Sequence, residues 1–157
     1  MAAETPTAAL ASTAAAPDPV PAGSLWVEMR SPDGLLFAGL AQAVTVPGTK
    51  GSMGILPRHA PLMSSLDIGL TRIRDAQGKE QRYVTGLGFV EVAANKVLLL
   101  VDFADRTDKI DVKRAQEAHD RAKARLRTRE EDVDYARAEA ALQRALMRLR
   151  YAGEPRL

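Results

Sequence analysis

Arginines recur at helical spacing in the last third of the sequence, and they are the residues best suited to bind a small anionic ligand. Arg114 and Arg121 are seven positions apart, which places them on one side of a helix, two turns from each other. Arg144 and Arg148 are neighbours on a second helical stretch. Guanidinium groups bind phosphate through paired hydrogen bonds, so two helices folded back on each other could bring these arginines around one phosphate. The spacing equally fits solvated charges in ordinary salt bridges with nearby acidic residues.

Few other residues could perform chemistry. The sequence has no cysteine and only two histidines, His59 and His119, which excludes thiolate and histidine-rich metal sites. Gly48, Gly51 and Gly54 form neither a GxGxxG motif nor a Walker loop, and they predict an inter-strand loop with close backbone approach rather than a phosphate loop. There is no GxSxG nucleophile elbow. We predict no catalytic residues and no enzymatic activity.

Composition argues against two further classes of function for the molecule as a whole. The net charge of +2, with three Phe, three Tyr and one Trp, gives neither the field nor the stacking surfaces of a nucleic-acid-binding protein. The longest apolar run, Val97–Val101, is far shorter than the roughly 20 residues that span a bilayer. We predict no nucleic-acid partner and no direct membrane insertion.

Patterning divides the chain into unequal parts. Residues 1–23 are rich in Ala, Thr and Pro and contain no Lys or Arg, which indicates a disordered tail and not a targeting peptide. Residues 24–106 alternate short β-like stretches with turns such as Ser31–Gly34 and Asp75–Gly78, and predict an antiparallel β-sandwich. The predicted strands are 25–29, 35–37, 41–46, 70–74, 81–84, 88–92 and 96–103.

The pattern changes to a period of 3.6 after Asp105, and Gly and Pro are absent until Gly153. We predict a two-helix antiparallel hairpin over residues 107–152, followed by a C-terminal end at 153–157. The fold class is therefore α+β. Two alanine-rich stripes would face each other, made of Ala115, Ala118, Ala122 and Leu126 and of Tyr135, Ala138, Leu142, Ala145, Leu149 and Ala152. The bend falls within 127–134, but no Gly or Pro enforces it, so the segment could also continue as one long helix.

Three segments together resemble the epsilon subunit of bacterial F-type ATP synthases. Val46–Leu62 contains the run Gly-Ile-Leu-Pro-Arg-His-Ala-Pro, similar to the signature loop of that family. Thr85–Val92 resembles its glycine-containing strand late in the sandwich. Ile110–Ala115 matches the pattern Ile/Leu-Asp-x-x-Arg-Ala that opens the first C-terminal helix in ATP-binding members. The resemblance covers roughly Leu25–Tyr151 in the family's order and spacing.

The resemblance implies a non-catalytic subunit of the central stalk. Its sandwich would contact the gamma subunit and the c-ring, on the cytoplasmic face of the bacterial cytoplasmic membrane, as a peripheral protein. Its hairpin would either fold against the sandwich or extend along gamma toward the alpha/beta catalytic hexamer, where it inhibits ATP hydrolysis. The alternative is a free-standing adaptor whose basic helical segment binds a partner protein or a nucleic acid.

The resemblance also assigns site residues. It implies c-ring contacts at Lys50, Ser52, Met53 and His59, although Lys50 and Arg58 replace the acidic residue and the glycine common in relatives. No cofactor is required, but ATP is a possible regulatory ligand, held by Asp105, Asp111, Arg114, Arg121, Arg144 and Arg148. An acidic loop of the catalytic subunit would meet Arg137, Arg144, Arg148 and Arg150 in the extended form.

Overall fold

The computed structural model describes residues 15–128 and 134–153. Within them nine β-strands are followed by a short 3-10 turn and two α-helices. The strands are β1 (Leu25–Ser31), β2 (Gly34–Gly48), β3 (Gly51–Ile55), β4 (Leu62–Leu66), β5 (Gly69–Asp75), β6 (Glu80–Thr85), β7 (Gly88–Ala93), β8 (Lys96–Val101) and β9 (Ala104–Arg106). The 3-10 turn is Thr107–Lys109, and the helices are α1 (Val112–Arg127) and α2 (Tyr135–Tyr151). Residues 1–14 of the predicted tail and 154–157 of the predicted C-terminal end lie outside the described part.

The strands close into a sandwich because β2 is long enough to serve both layers. Its first half pairs with β1, and its second half pairs with β3 and β5. The pairings run from β1 through β8, β7 and β4 to β2 and return to β1, while β6 and β9 extend the sheet beyond β5. The predicted sandwich followed by two helices is confirmed. The pairing of β1 with β8 is parallel, an addition to the antiparallel scheme.

The region between 47 and 62, predicted as a loop, contains β3 and the start of β4. β3 was missed because glycines interrupt the alternation, and Gly51, Ser52 and Gly54 are exposed. β4 was missed because apolar Met63 is exposed while polar Ser64 is half-buried, so its sequence does not alternate. The predicted stretches 35–37 and 41–46 are parts of the single 15-residue strand β2, whose register shifts between Ala41 and Ala43. A bulge of this kind bends a strand without ending it.

Alternation along the strands fills the core. Leu25, Val27 and Met29 on β1 are completely buried and point between the layers. They join a single cluster with residues from distant strands, among them Ile73 and Leu99. Each large apolar side chain buried in this way contributes roughly 1.5–3 kcal/mol. The sandwich is therefore held by many separate large contributions.

The helices begin at aspartates. Asp111 caps α1, its carboxylate accepting a hydrogen bond from the backbone N–H of Arg114 at 3.0 Å, and Asp134 caps α2 in the same way through Arg137. Such caps each stabilise a helix by about 1 kcal/mol. α1 ends within the predicted bend at Arg127, and residues 129–133 of that bend lie outside the described residues.

The two helices face each other through small residues. Ala115 and Ala122 on α1 and Ala138 and Ala145 on α2 are buried, as the alanine stripes predicted. The backbone N–H of Gly153, after α2, donates to the carbonyl of Thr107, just before α1, at 3.4 Å. The end of α2 therefore lies beside the start of α1, so the helices are antiparallel. Neither helix combines the length and the apolar composition needed to cross a membrane, within the residues described.

Candidate anion-binding site

A cavity of about 410 Å³ opens where the start of α1, the end of α2 and β9 meet. Its volume falls within the roughly 300–1,000 Å³ of small-ligand sites. The lining residues are Asp105, Lys109, Ile110, Asp111, Arg114, Ala115, Ala118, Arg121 and Arg148. Five of the six residues predicted to bind ATP thus line one cavity. Arg144 does not line it, although it lies only one turn from Arg148 on α2.

Local structure determines which lining groups are available. The Asp111 carboxylate is engaged in capping α1, so it positions the backbone of Arg114. Arg121 lies 4.0 Å from Glu117, and both side chains are more than half exposed, so this pair is weak. Across the described parts of the chain, the side chains of Lys109 and Arg114 form no ion pair.

Arg148 is held differently. Its Nε donates a hydrogen bond to Asp105 Oδ2 at 2.7 Å, and its guanidinium carbon lies 4.7 Å from the centroid of the Phe103 ring. Asp105 is on β9 and Phe103 lies just before it, so both contacts connect α2 to the sandwich. Beside them, the hydrogen bond between Arg106 and Asp108 raises the pKa of the Arg106 guanidinium.

The cavity favours an anion. It is lined by four cationic side chains, Lys109, Arg114, Arg121 and Arg148, and by two carboxylates, those of Asp105 and Asp111. One carboxylate is paired with Arg148 and the other with the start of α1. The remaining positive charge, next to the N-terminus of α1, suits phosphate oxygens. Among the residues described, no group of His, Asp or Glu could hold a metal ion.

The predicted rotor-contact residues lie along one edge of the sandwich. Ser52 and Met53 are on β3, which among the described strands pairs with β2 alone. Lys50 is in the two-residue turn between β2 and β3, and His59 follows the other end of β3. These positions span at least the length of β3, about 17 Å at the usual rise per residue. His59 Nδ1 lies 2.8 Å from the Ala60 carbonyl, a local bond consistent with a structural role.

The predicted acidic-partner residues are spread along α2. Arg137 is exposed in its first turn, and Arg150 is exposed in its last, 5.4 Å from the Tyr151 ring centroid. Arg144 and Arg148 are half-buried between them. In this folded form Arg148 is engaged with Asp105, so the four arginines do not form one free surface.

The structure also shows functional candidates that sequence reasoning missed. Lys109 joins the cavity from the 3-10 turn, and Phe103 contacts Arg148. On the outer face of β4, β7 and β8, the side chains of Met63, Phe89 and Leu100 are 71%, 57% and 47% exposed. Phe89 lies directly opposite Leu100, and Met63, which lies opposite Glu91, is a diagonal neighbour of Phe89 on the same face. The alternation that fills the core placed them outside, but only strand pairing shows that they are neighbours.

Comparison with known proteins agrees with this architecture. Residues 24–107 match the family model described as the ATP synthase delta/epsilon chain β-sandwich domain, and residues 108–153 match the delta/epsilon chain long α-helix domain. The ATP synthase epsilon chain of Lawsonia intracellularis is 48% identical over 110 residues, covering 69% of this chain and 81% of the relative. That of Desulfitobacterium hafniense strain Y51 is 44% identical over 109 residues, covering 69% and 82%.

One solved structure supports the fold. A chain in the cryo-EM structure of the Euglena gracilis mitochondrial ATP synthase, described as OSCP/F1/c-ring, matches with a TM-score of 0.69 and 24% identity. The match covers 77% of this chain and 76% of that one. The resemblance inferred from the three sequence segments is confirmed: this chain belongs to the ATP synthase delta/epsilon chain family.

Proposed function

We propose that this chain is the non-catalytic epsilon subunit of the central stalk of a bacterial F-type ATP synthase. The observation that carries the proposal is the match to both domains of the family, together with 44–48% identity to bacterial epsilon chains. The subunit is peripheral, at the cytoplasmic face of the cytoplasmic membrane. Its partners are the gamma subunit, the c-ring and the alpha/beta hexamer. A free-standing adaptor would instead purify from native membranes without alpha, beta and gamma.

The sandwich transmits rotation and needs two stable contacts. The exposed apolar patch of Met63, Phe89 and Leu100 is suited to gamma, because burying large apolar side chains gives a persistent interface. The β3 edge, with Lys50, Ser52, Met53 and His59, is suited to the more polar loops of the c-ring. Lys50 pairs there with an acidic residue of the c-ring. In relatives with an acidic residue at this position, the expected c-ring partner is basic instead.

The hairpin regulates the direction of catalysis. In the folded form ATP occupies the cavity and connects Arg114 and Arg121 on α1 with Arg148 on α2. In the extended form α2 leaves the sandwich and presents Arg137, Arg144, Arg148 and Arg150 to an acidic surface of the catalytic subunits, inhibiting hydrolysis. A ligand that binds only the folded form shifts the population toward it. Low ATP therefore favours inhibition.

An ATPase assay on the assembled complex tests the regulatory role. Complexes with the full chain and complexes lacking residues 110–157 are compared at low ATP concentration. Removal of the hairpin should raise the hydrolysis rate, because the inhibitory segment is absent. Equal rates in a complex that has retained all other subunits would leave only the coupling role.

Calorimetry of the isolated chain tests the ligand. Arg114→Ala and Arg121→Ala should each weaken ATP binding about tenfold or more, the loss expected for a charge-assisted contact to phosphate. Arg125→Ala is the matched control, because Arg125 is exposed on the same helix and does not line the cavity. ATP affinities that remain equal in all three variants would contradict the nucleotide site.

A further inference from the structure

Three contacts connect the end of α2 and the residue Gly153 after it to the segment 103–107, at the junction of the sandwich and the 3-10 turn. Arg148 Nε donates to Asp105 Oδ2 at 2.7 Å, the Arg148 guanidinium lies over the Phe103 ring, and the Gly153 N–H donates to the Thr107 carbonyl. The segment that receives them, 103–107, includes β9. Pairing of Val84 with Asp105 fixes that strand against β6. The α2 end therefore meets a rigid partner.

Arg148 is better placed to form stabilising contacts than an ordinary, fully exposed surface arginine. The Arg148 side chain is 30% exposed and the Asp105 side chain 41%, so both are partly shielded from water. The aromatic ring covers one face of the guanidinium while the carboxylate binds its edge, an arrangement that uses both recognition modes of arginine. The two contacts cooperate because each restricts the rotamers available for the other.

The remaining contact between α2 and the sandwich is loosely packed. Met147 and Tyr151 of α2 line a cavity of about 660 Å³ together with Ile68 and Leu70 of the sandwich. Within the described residues, α2 packs far more extensively against α1 than against β5 and β6 of the sandwich. The contacts of Arg148 with Asp105 and Phe103 thus supply a large part of the free energy that docks the hairpin on the sandwich.

We propose that Phe103 and Asp105 are positioning residues that hold Arg148 and dock the hairpin on the sandwich before any ligand binds. Ligand binding then carries no free-energy cost for ordering α2, because α2 already lies beside α1. The docked form also keeps Arg148 from an acidic partner on another subunit, because its Nε–H is bonded to Asp105 and α2 stays on the sandwich. This last consequence rests on the proposed function, whereas the docking itself does not.

Distance measurements on the full chain without nucleotide test the docking. Because the sequence has no cysteine, spin labels can be attached at Gln77→Cys on the β5–β6 turn and at Gln143→Cys on α2, both exposed positions. Arg148→Gln, Asp105→Asn and Phe103→Leu should each lower the ratio of docked to undocked hairpin roughly threefold to tenfold. The combined Arg148→Gln and Asp105→Asn change should lower it no further than the stronger single change, because both remove the same contact.

Three comparisons separate the positioning role of Arg148 from the general effect of removing an arginine. Arg150→Gln is the matched control, because Arg150 is two positions away and contacts Tyr151 of its own helix; it should leave the ratio unchanged. Arg148→Lys keeps the charge but not the planar group, so its ratio should lie between those of Arg148→Gln and the unmodified chain. Exchanging the partners, with Asp105→Arg and Arg148→Asp together, should restore part of the docking.

The proposal is wrong if Arg148→Gln changes the ratio no more than Arg150→Gln does. It is equally wrong if the effects of Asp105→Asn and Arg148→Gln multiply as independent changes. Both results concern the isolated chain without ATP. Failure of the proposed regulation would instead appear in the ATPase assay of the assembled complex, so the two outcomes are distinguishable.

Discussion

The sandwich and the hairpin are stabilised in different ways, although one chain forms both. In the sandwich, fifteen buried residues from distant strands form one cluster that includes Leu25, Met29, Ile55, Ile73 and Leu99. In α1 and α2, as far as they are described, the buried positions are alanines, each of which removes little more than one methyl group from water.

This difference suits two mechanical roles. A part that transmits torque needs a core whose opening costs as much as global unfolding. A part that changes position needs an interface that opens at a lower cost than the core. An alanine seam allows close helix approach while contributing little hydrophobic burial, so α1 and α2 can separate from each other while the core of the sandwich stays folded.

Core truncation should show the largest effect. Ile73→Ala or Leu99→Ala removes a fully buried side chain and should reduce the free energy of unfolding by about 2–5 kcal/mol. Urea unfolding followed by circular dichroism measures it. Leu146→Ala, at a 44% exposed position on α2, is the control and should cost far less. Similar losses in all three variants would contradict the contrast between the two regions.

Enlarging the seam should affect the hairpin alone. Ala145→Leu places a large side chain where α1 and α2 meet, and the overpacking should cost the hairpin about 1–3 kcal/mol. Hydrogen exchange should accelerate in both helices while the strands remain protected. Ala136→Leu, at an exposed position of α2, should leave exchange unchanged. Faster exchange in the strands of the Ala145 variant would show that the two regions unfold together.

Removing a helix cap should have a smaller effect and can separate structure from ligand binding. Asp111→Ala and Asp134→Ala each lose a capping hydrogen bond and should destabilise their helices by about 1 kcal/mol. Asp111→Asn keeps the cap but removes the charge. If Asp111 contacts ATP, both Asp111 variants change ATP affinity and Asp134→Ala does not. Equal affinities in all three variants would limit Asp111 to its cap.

A substitution that relieves backbone strain in the sandwich should give the smallest effect on stability, and it should raise stability instead of lowering it. Arg58 has φ 66°, a conformation that favours glycine, and its backbone N–H is held by Asn95 Oδ1 at 2.6 Å. Arg58→Gly should raise the melting temperature slightly, with a gain of up to about 1 kcal/mol. Leu56→Gly, in the same loop but without a positive φ, should lower it. A lower melting temperature for Arg58→Gly would assign a stabilising contact to the arginine side chain.

Sequence patterning predicted strands with regular alternation and some without it. β5, β7 and β8 alternate between more and less buried positions, as in Val90 and Val92. β1 and β6 were predicted although each has three consecutive buried residues, 25–27 and 83–85. β3 was missed because its glycines leave no alternation to detect. β9 has three residues, all half-buried, which is too short for a periodic signal. Its position is set by pairing with β6.

The candidate cavity was predicted in composition but not in geometry. Helical spacing and the family motif identified Asp105, Asp111, Arg114, Arg121 and Arg148, and all five line the cavity. Spacing does not show that Lys109 lines the cavity or that Arg144 does not. Both facts depend on the orientation of the hairpin relative to β9.

The sequence by itself determined the α+β division, the alanine seam and the family, because periodicity and motif order are properties of consecutive residues. Tertiary structure decided which side chains meet. Asp105 and Arg148 are 43 positions apart, and only the docking of α2 on β9 makes them partners. Phe89 and Leu100 became one exposed patch through the pairing of β7 with β8. Contacts between distant segments depend on register and helix rotation, which local sequence does not specify.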